Sequence, residues 1–254
     1  MKLKLTIAYD GAQYAGWQTQ KTGMGVQQRV EEAVARIFPH AGPLRASSRT
    51  DTGVHALGMA AHLEIPDKEF KISPSKAALA INAHLPRDIR IMAASRCRAD
   101  FDARFSAKGK QYRYFVWTGP AMNPLLRHAA WHVSRPLDLR AMRSAAKLFP
   151  GRRDFKSLAG TRPYEMNSTV RVLSRCDIKR NGPLLTFIIE GDGFLYKMCR
   201  GIVGTLVQVG QGKIAPGAIK QILDKKDRRA AGMTAPARGL VLWKVFYGRA
   251  YCPG

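Results

Sequence analysis

The chain contains few acidic side chains. Its 254 residues include 18 Asp and Glu against 42 Lys and Arg, which gives a formal net charge of +24. This excess favours a polyanionic partner, because neutralising phosphates releases counterions and supplies most non-specific affinity for nucleic acids. Charge that serves only solubility is the alternative. Basic and aromatic residues are interspersed over 108–115, which favours a folded binding surface over a disordered basic tail.

Cysteine is also scarce. The four cysteines stand far apart, so that no close pair predicts a zinc site or a redox motif. Reduced thiols in a cytoplasmic protein are the simplest interpretation. Histidines show no metal-binding spacing, and we expect no metal. No apolar run approaches the ~20 residues of a membrane-spanning helix, and we expect no membrane partner.

Nucleotide-binding motifs are missing as well. The sequence has no P-loop, and Gly191-Asp192-Gly193 falls short of the G-x-G-x-x-G pattern. An RNA methyltransferase would need a glycine-rich turn between a strand and a helix for its cofactor, and no convincing one is present. We therefore expect no cofactor. An RNA-binding protein without catalytic activity remains an alternative to an RNA-modifying enzyme.

Hydrophobic periodicity predicts strands and helices in both halves of the chain. Alternating apolar residues predict strands, and apolar residues three and four apart predict helices. The predicted strands cover 2–9, 57–65, 89–94, 110–117, 170–178, 184–190 and 240–246, and the predicted helices cover 26–38, 74–83, 137–148, 194–209 and 216–223. This mixture indicates an α+β fold. The range 152–167, rich in Gly, Arg and Pro, predicts a long mobile loop.

Residues 49–56, RTDTGVHA, combine a guanidinium, a carboxylate and a glycine on a predicted loop. Asp51 lies two positions from Arg49. A carboxylate near a fixed cation stays ionised below neutral pH, which suits a nucleophile or a general base. A solvated surface turn is the alternative for three such residues alone. We interpret His55 as a structural, hydrogen-bonding histidine.

This octet resembles the signature of the TruA family of tRNA pseudouridine synthases, which is close to G-R-T-D-A-G-V-H-A. Four further blocks resemble the other family motifs, in the family's order: residues 9–20 (YDGAQYAGWQTQ), 101–107 (FDARFSA) with 112–114 (YRY), 193–204 (GFLYKMCRGIVG), and 235–240 (APARGL) with Leu242 and Tyr247. The chain departs from the pattern at Gln28, Ser48, Thr52 and Arg153. Ser48 replaces a glycine, which visits positive φ more freely.

The resemblance implies an isomerase that converts uridine to pseudouridine at positions 38, 39 and 40 in the anticodon stem-loop of tRNAs, without a cofactor. It also implies a cytoplasmic homodimer whose partner is the tRNA anticodon arm. The implied fold has two ferredoxin-like halves, which form one extended antiparallel sheet with a central cleft. We place the halves at residues 1–105, with the catalytic Asp loop, and 106–254, which completes the cleft and the tRNA surface.

The resemblance also assigns roles to residues. Asp51 corresponds to the nucleophile, and whether it attacks C6 of the base or C1′ of the ribose stays open. Arg200 corresponds to its ion-pair partner, Tyr112 to the tyrosine that stacks on the extruded base, and Arg49 to the arginine that flips the base. The implied substrate-binding segment comprises Phe101, Asp102, Ala103, Arg104 and Phe105, with Arg104 on the phosphates.

Two of these residues have simpler interpretations when the family is set aside. By periodicity alone, Tyr112 is a tyrosine of the core or the sheet surface. A lone arginine on an apolar helix, such as Arg200, extends its stem over apolar surface and keeps its charged head in water. The resemblance favours the functional role at both positions.

Overall fold

The structure is a computed structural model that describes residues 1–20, 23–161 and 167–248. It consists of two compact units. The first covers Met1–Gly109 and resumes at Val241, and the second covers Lys110–Leu240. The residues from Val241 onward therefore belong to the first unit. The two halves predicted from the sequence, 1–105 and 106–254, placed these residues in the second half. That functional division stays a prediction.

The elements follow one another in a mixed order of strands and helices. The strands are β1 (Lys2–Tyr9), β2 (Arg45–Ala46), β3 (His55–Glu64), β4 (Ile89–Arg96), β5 (Ala107–Trp117), β6 (Trp131–His132), β7 (Gly151–Asp154), β8 (Val170–Asn181), β9 (Leu184–Gly191) and β10 (Leu240–Tyr247). The helices are α1 (Val26–Ile37), α2 (Pro74–His84), α3 (Leu139–Ala146), α4 (Met198–Gly210) and α5 (Ala218–Lys225).

The sheet of the first unit has the order β4-β1-β3-β10, and β2 also pairs with β3. β1 runs antiparallel to both β3 and β4. Its side chains alternate, so that Leu3, Leu5 and Ile7 are fully buried while Lys2, Lys4 and Thr6 lie on the opposite face. Helix α2 packs against β4, and α1 packs against α2. Apolar strand and helix faces thus form the core of this unit.

In the second unit the strand order is β5-β9-β8-β7, with β6 beside β5. β8 and β9 form a hairpin in which Asn181 pairs with Leu184, and Gly182 in the turn between them has a φ of +55°. Helix α4 is apolar almost all round and is the most buried helix. Helix α3 packs against α4 and β8. The core of this unit therefore surrounds α4.

The α+β class predicted from periodicity is confirmed, but the prediction of a wholly antiparallel sheet is wrong. β10 runs parallel to β3, and β6 runs parallel to β5. The predicted loop over 152–167 is also wrong at its start, because Gly151–Asp154 pairs with β8 as a strand. Residues 162–166 of that range lie outside the described residues. α4 begins at Met198, four residues later than predicted.

Candidate functional site

The predicted site residues fall in both compact units. The first unit contains Arg49 and Asp51 in the Asp51 loop (residues 48–54), and the segment 101–105 in the Arg104 turn (residues 101–106). Tyr112 and Arg200 belong to the second unit. Asp51 and Arg200 therefore belong to different units, and the ion pair between them stays a prediction.

The Asp51 loop is fixed by the segment that follows β1. The Tyr9 hydroxyl forms a hydrogen bond of 2.8 Å with Thr50 Oγ1, and the Trp17 amide donates to the Thr50 carbonyl at 3.2 Å. The loop closes on itself through the Val54 amide, which donates to the Asp51 carbonyl at 3.1 Å. The residue on the N-terminal side of Asp51 is thus held through its side chain and its backbone.

Glycines allow this close contact. Gly16 has a φ of +96°, and a β-carbon there would lie 2.6 Å from the Thr50 carbonyl oxygen. A β-carbon at Gly11 would collide with the Val54 carbonyl oxygen. Only glycine tolerates both the positive φ and the missing space at Gly16. The glycines of the block at residues 9–20 therefore let it pack directly on the backbone of the Asp51 loop.

His55 follows the loop and is buried at the start of β3. The Gly11 amide donates to His55 Nδ1 at 3.0 Å, and Asp10 Oδ1 lies 2.9 Å from the same nitrogen. The two contacts need different protonation states, because the amide can donate only to an unprotonated nitrogen. Either contact makes His55 a buried, hydrogen-bonded histidine, and its structural role stays a prediction.

Exposure differs along the loop. Asp51 is half-buried, whereas Arg49, two positions before it, and Thr52, directly after it, are exposed. A carboxylate in this position is held by the protein and can still be approached from solvent. Ser48, which replaces the glycine of the family pattern, does not have a positive φ. The substitution therefore requires no left-handed backbone at this position.

The Arg104 turn is organised by Asp102. The Asp102 carboxylate accepts hydrogen bonds from the amides of Arg104 at 2.7 Å and Phe105 at 2.9 Å, and Ser106 Oγ accepts from the Asp102 amide at 3.1 Å. Burial alone would raise the pKa of Asp102, but the two amide hydrogen bonds bring it below its ordinary value. An ionised Asp102 therefore stabilises the turn.

The five residues of the substrate-binding segment face different environments. Phe101 and Ala103 are fully buried, whereas Arg104 is exposed and Phe105 is 81% exposed. The Arg104 guanidinium lies 5.3 Å from the centre of the Phe105 ring, within the range of a cation–π contact. The residues of this turn that present their side chains to solvent are thus a cation and an aromatic ring.

In the second unit, Tyr112 is part of the sheet. It pairs with Ile189 across β5 and β9 and is 7% exposed. The edge of the Phe194 ring packs against it, with ring centres 5.0 Å apart and planes at 79°. The Tyr112 ring therefore has a fixed orientation within its unit.

Arg200 lies in the first turn of α4. Its Nε donates to the Ala235 carbonyl at 2.7 Å, and the Ala235 amide donates to the Arg200 carbonyl at 3.0 Å. Burial raises the pKa of the nearby Tyr114, and the positive charge of Arg200 opposes that shift. The segment around Ala235 therefore orients the Arg200 side chain.

Two positions in these regions were not predicted from the sequence. Lys197, immediately before α4, has a left-handed backbone with a φ of 57°, a strained conformation for a non-glycine residue. His62 on β3 accepts a hydrogen bond from the Ala103 amide at 3.0 Å. The only signal for His62 in the sequence is a polar residue between Ala61 and Leu63 in an apolar strand.

A cavity of about 740 Å³ lies in the first unit between α1 and the end of α2. Arg29, Arg36 and His84 are among its lining residues, and Arg29 forms an ion pair of 3.0 Å with Glu32. None of the predicted site residues lines this cavity. The predicted site residues therefore lie outside this cavity.

Within ranges 1–20, 23–161 and 167–248, no group of three or more His, Cys, Asp and Glu side chains is arranged to hold a metal ion. No helix in that part of the chain is long and apolar enough to cross a membrane.

Comparison with known proteins gives a consistent result. The family model described as tRNA pseudouridine synthase matches residues 5–106 and 145–248. A tRNA pseudouridine synthase A from Geobacillus kaustophilus is 43% identical over 250 residues, which cover 97% of this chain and 94% of the relative. Another from Bacillus subtilis is 42% identical over 249 residues, covering 97% of this chain and 99% of the relative. The chain belongs to the tRNA pseudouridine synthase family.

Proposed function

We propose that this enzyme isomerises uridine to pseudouridine at positions 38, 39 and 40 in the anticodon stem-loop of tRNAs, with Asp51 as the nucleophile. The observation that carries the proposal is the position of Asp51. It is half-buried on a loop that the family's N-terminal block holds through hydrogen bonds and glycine contacts.

The reaction suits the side chains of this chain. The N1–C1′ bond breaks, a C5–C1′ bond forms, and C5 loses a proton while N1 gains one. The product is an isomer, and no group is imported or oxidised. A carboxylate, a surface that grips the base and electrostatic support are sufficient. Asp51 supplies the carboxylate, and its attack on C6 or on C1′ are both consistent with this role.

The other predicted residues have matching roles in the proposal. Tyr112 stacks on the extruded base, a contact worth ~1–3 kcal/mol per base. Arg49, exposed next to Asp51, occupies the gap that the base leaves. Arg200 pairs with Asp51 and orients it, and the Ala235 carbonyl supports this role by holding Nε.

The Arg104 turn contacts the RNA backbone in this proposal. Its exposed guanidinium and ring suit a phosphate and a neighbouring base, respectively. The net charge of +24 supports a polyanionic substrate. We further propose that the enzyme works as a homodimer in the cytoplasm and needs no metal or organic cofactor.

We also propose that the two halves are ferredoxin-like. In the first unit, β1, α1, β2, β3, α2 and β4 follow in the βαββαβ sequence of that fold, and the sheet order β4-β1-β3-β2 supports the assignment. In the second unit, the order β5-β9-β8 supplies three of the four strands in the same relative order.

The test is an assay on an anticodon-arm RNA with uridine at all three positions, without divalent metal or nucleotide. Pseudouridine is mapped by carbodiimide modification and primer extension. We expect stops at positions 38, 39 and 40, and none in an RNA with cytidine there. Tight binding without any pseudouridine would instead support an RNA-binding protein without catalytic activity. Pseudouridine only outside the anticodon arm would refute the proposed substrate.

A further inference from the structure

His62 lies beneath the Arg104 turn. It is on β3, opposite Lys4 of β1 and Arg45 of β2, and only 4% of it is exposed. The Phe101 ring covers it in a T-shaped contact, with ring centres 5.7 Å apart. Solvent therefore has almost no access to this imidazole, although it belongs to a sheet face that also presents charged residues.

Ala103 is held on both sides of its backbone. Its amide donates to His62 Nδ1 at 3.0 Å, and its carbonyl accepts from the Tyr247 hydroxyl at 2.6 Å. Lys2 Nζ also donates to the Phe101 carbonyl at 2.9 Å. Three side chains from β1, β3 and β10 thus hold the buried half of the turn.

This buried half determines the position of the exposed half. Ala103 is bonded directly to Arg104, and Arg104 directly to Phe105. We propose that His62 is a positioning residue for RNA binding, which holds the Arg104 turn through Ala103 so that Arg104 and Phe105 meet the tRNA in a fixed orientation. The inference rests on the proposed contact of this turn with RNA.

The contact with Ala103 requires a particular protonation state. Nδ1 accepts a hydrogen bond only when it carries no proton, so the proton of the neutral ring must be on Nε2. Protonation of Nδ1 would place one N–H against another and break the contact. His62 therefore accepts this hydrogen bond only while its ring is neutral, and protonation in acid removes the contact.

Burial and neighbouring charges determine the pH at which His62 is protonated and loses this contact. Burial lowers the pKa of His62 below its ordinary value of 6.5, because the charged ring is poorly solvated there. Lys2 and Arg45 lower the pKa further, while Asp102 and Glu64 oppose the shift. Lys4 also faces the ring from β1. His62 is thus neutral at pH 7, and its hydrogen bond with Ala103 is lost as the pH falls through the lowered pKa.

The test compares His62→Asn with His62→Gln. Asparagine places its Oδ1 near the position of Nδ1 and cannot take up a proton in this pH range. Glutamine places its amide nearer to Nε2. At pH 7.5 we expect His62→Gln to weaken binding of the anticodon-arm RNA about tenfold, the size expected for one lost hydrogen bond. His62→Asn should restore binding to within about threefold of the unmodified enzyme.

Two further measurements exclude a merely structural effect. As the pH falls from 7.5 through the lowered pKa of His62, the Kd of the unmodified enzyme should rise relative to that of His62→Asn, which has no imidazole at this position. In an Arg104→Ala/Phe105→Ala background, His62→Gln should change Kd less than twofold, because the side chains that it positions are gone.

Equal Kd values for the unmodified enzyme and His62→Gln would overturn the inference, as would full additivity with the double substitution. If His62→Gln does not fold, the pH dependence of Kd for the unmodified enzyme against His62→Asn decides alone, and curves that stay parallel down to the pH at which the enzyme unfolds would refute the role. Kd is measured without turnover. A failure to form pseudouridine therefore counts against the proposed function, whereas an unchanged Kd counts against the role of His62.

Discussion

The Asp51 loop and the Arg104 turn belong to the same compact unit but are stabilised in different ways. Backbone contacts hold the Asp51 loop, where Gly11 and Gly16 allow a distant segment to touch its carbonyl oxygens. Side chains hold the Arg104 turn. Asp102, which is part of the turn, accepts from the Arg104 amide, and His62 and Tyr247 on neighbouring strands bind the backbone of Ala103. The Asp51 loop depends mainly on two glycines, together with the hydroxyl contact between Tyr9 and Thr50, and the Arg104 turn depends on several side chains.

This difference has consequences for how each loop responds to change. The backbone contacts that Gly11 and Gly16 allow in the Asp51 loop do not themselves titrate. The Arg104 turn depends on the ionised Asp102 and the neutral His62, and both states are lost in acid. A glycine substitution should therefore damage the Asp51 loop, and loss of one hydroxyl should be sufficient to loosen the turn.

The largest effect is expected for Gly16→Ala. The new β-carbon meets the Thr50 carbonyl oxygen at 2.6 Å and also disfavours the φ of +96°, so the loop must move. Displacement of a catalytic group by about 1 Å can cost about 100-fold in rate. We expect kcat for pseudouridine formation to fall by about that factor, and single-turnover assays measure it.

Gly212→Ala is the matched control, because Gly212 has a φ of +72° with nothing within 4 Å of an added β-carbon. It isolates the conformational cost, about 1 kcal/mol in the free energy of unfolding, from the steric clash. Its kcat should remain near that of the unmodified enzyme. Equal kcat for the two variants would show that the contact between Gly16 and Thr50 does not position Asp51.

A smaller effect is expected from a pair of hydroxyl deletions. Tyr247→Phe removes the donor to the Ala103 carbonyl, and Tyr9→Phe removes the partner of Thr50 Oγ1. Each loss should cost about 1 kcal/mol, or about fivefold. We expect Tyr247→Phe to raise KM for tRNA and Tyr9→Phe to lower kcat. Steady-state kinetics separate the two, and the same pattern in both variants would contradict the division between the loops.

The sequence predicts the locally determined parts of this fold well. The alternation of Leu3, Leu5 and Ile7 indicates β1, and apolar spacing indicates α1 close to its observed bounds. The parallel pairing of β10 with β3 is not predictable in this way, because it joins Val241 to His55 across most of the chain. Local periodicity contains no information on such a partner.

Contacts between distant parts of the sequence are equally hard to predict in the candidate site. The octet at 49–56 makes Asp51 and Arg49 candidates from sequence, because a reactive loop needs unusual residue types close together, and their roles stay predictions. His62 is missed, because its contact with Ala103 spans 41 positions and depends on the fold. The late start of α4 is missed as well, since the left-handed Lys197 interrupts an apolar helical pattern that continues on both sides.

We propose that the Asp51 loop supplies the chemistry and that the Arg104 turn binds the RNA. The most direct test measures the single-turnover rate and the anticodon-arm Kd for Asp51→Asn and Arg104→Ala. Asp51→Asn keeps the shape but removes the nucleophilic charge, so we expect no detectable product and an almost unchanged Kd. Arg104→Ala should weaken binding about tenfold, as for the loss of a charged contact, with an almost unchanged rate at saturating RNA. Substantial turnover by Asp51→Asn, or loss of rate with full affinity in Arg104→Ala, would contradict the account.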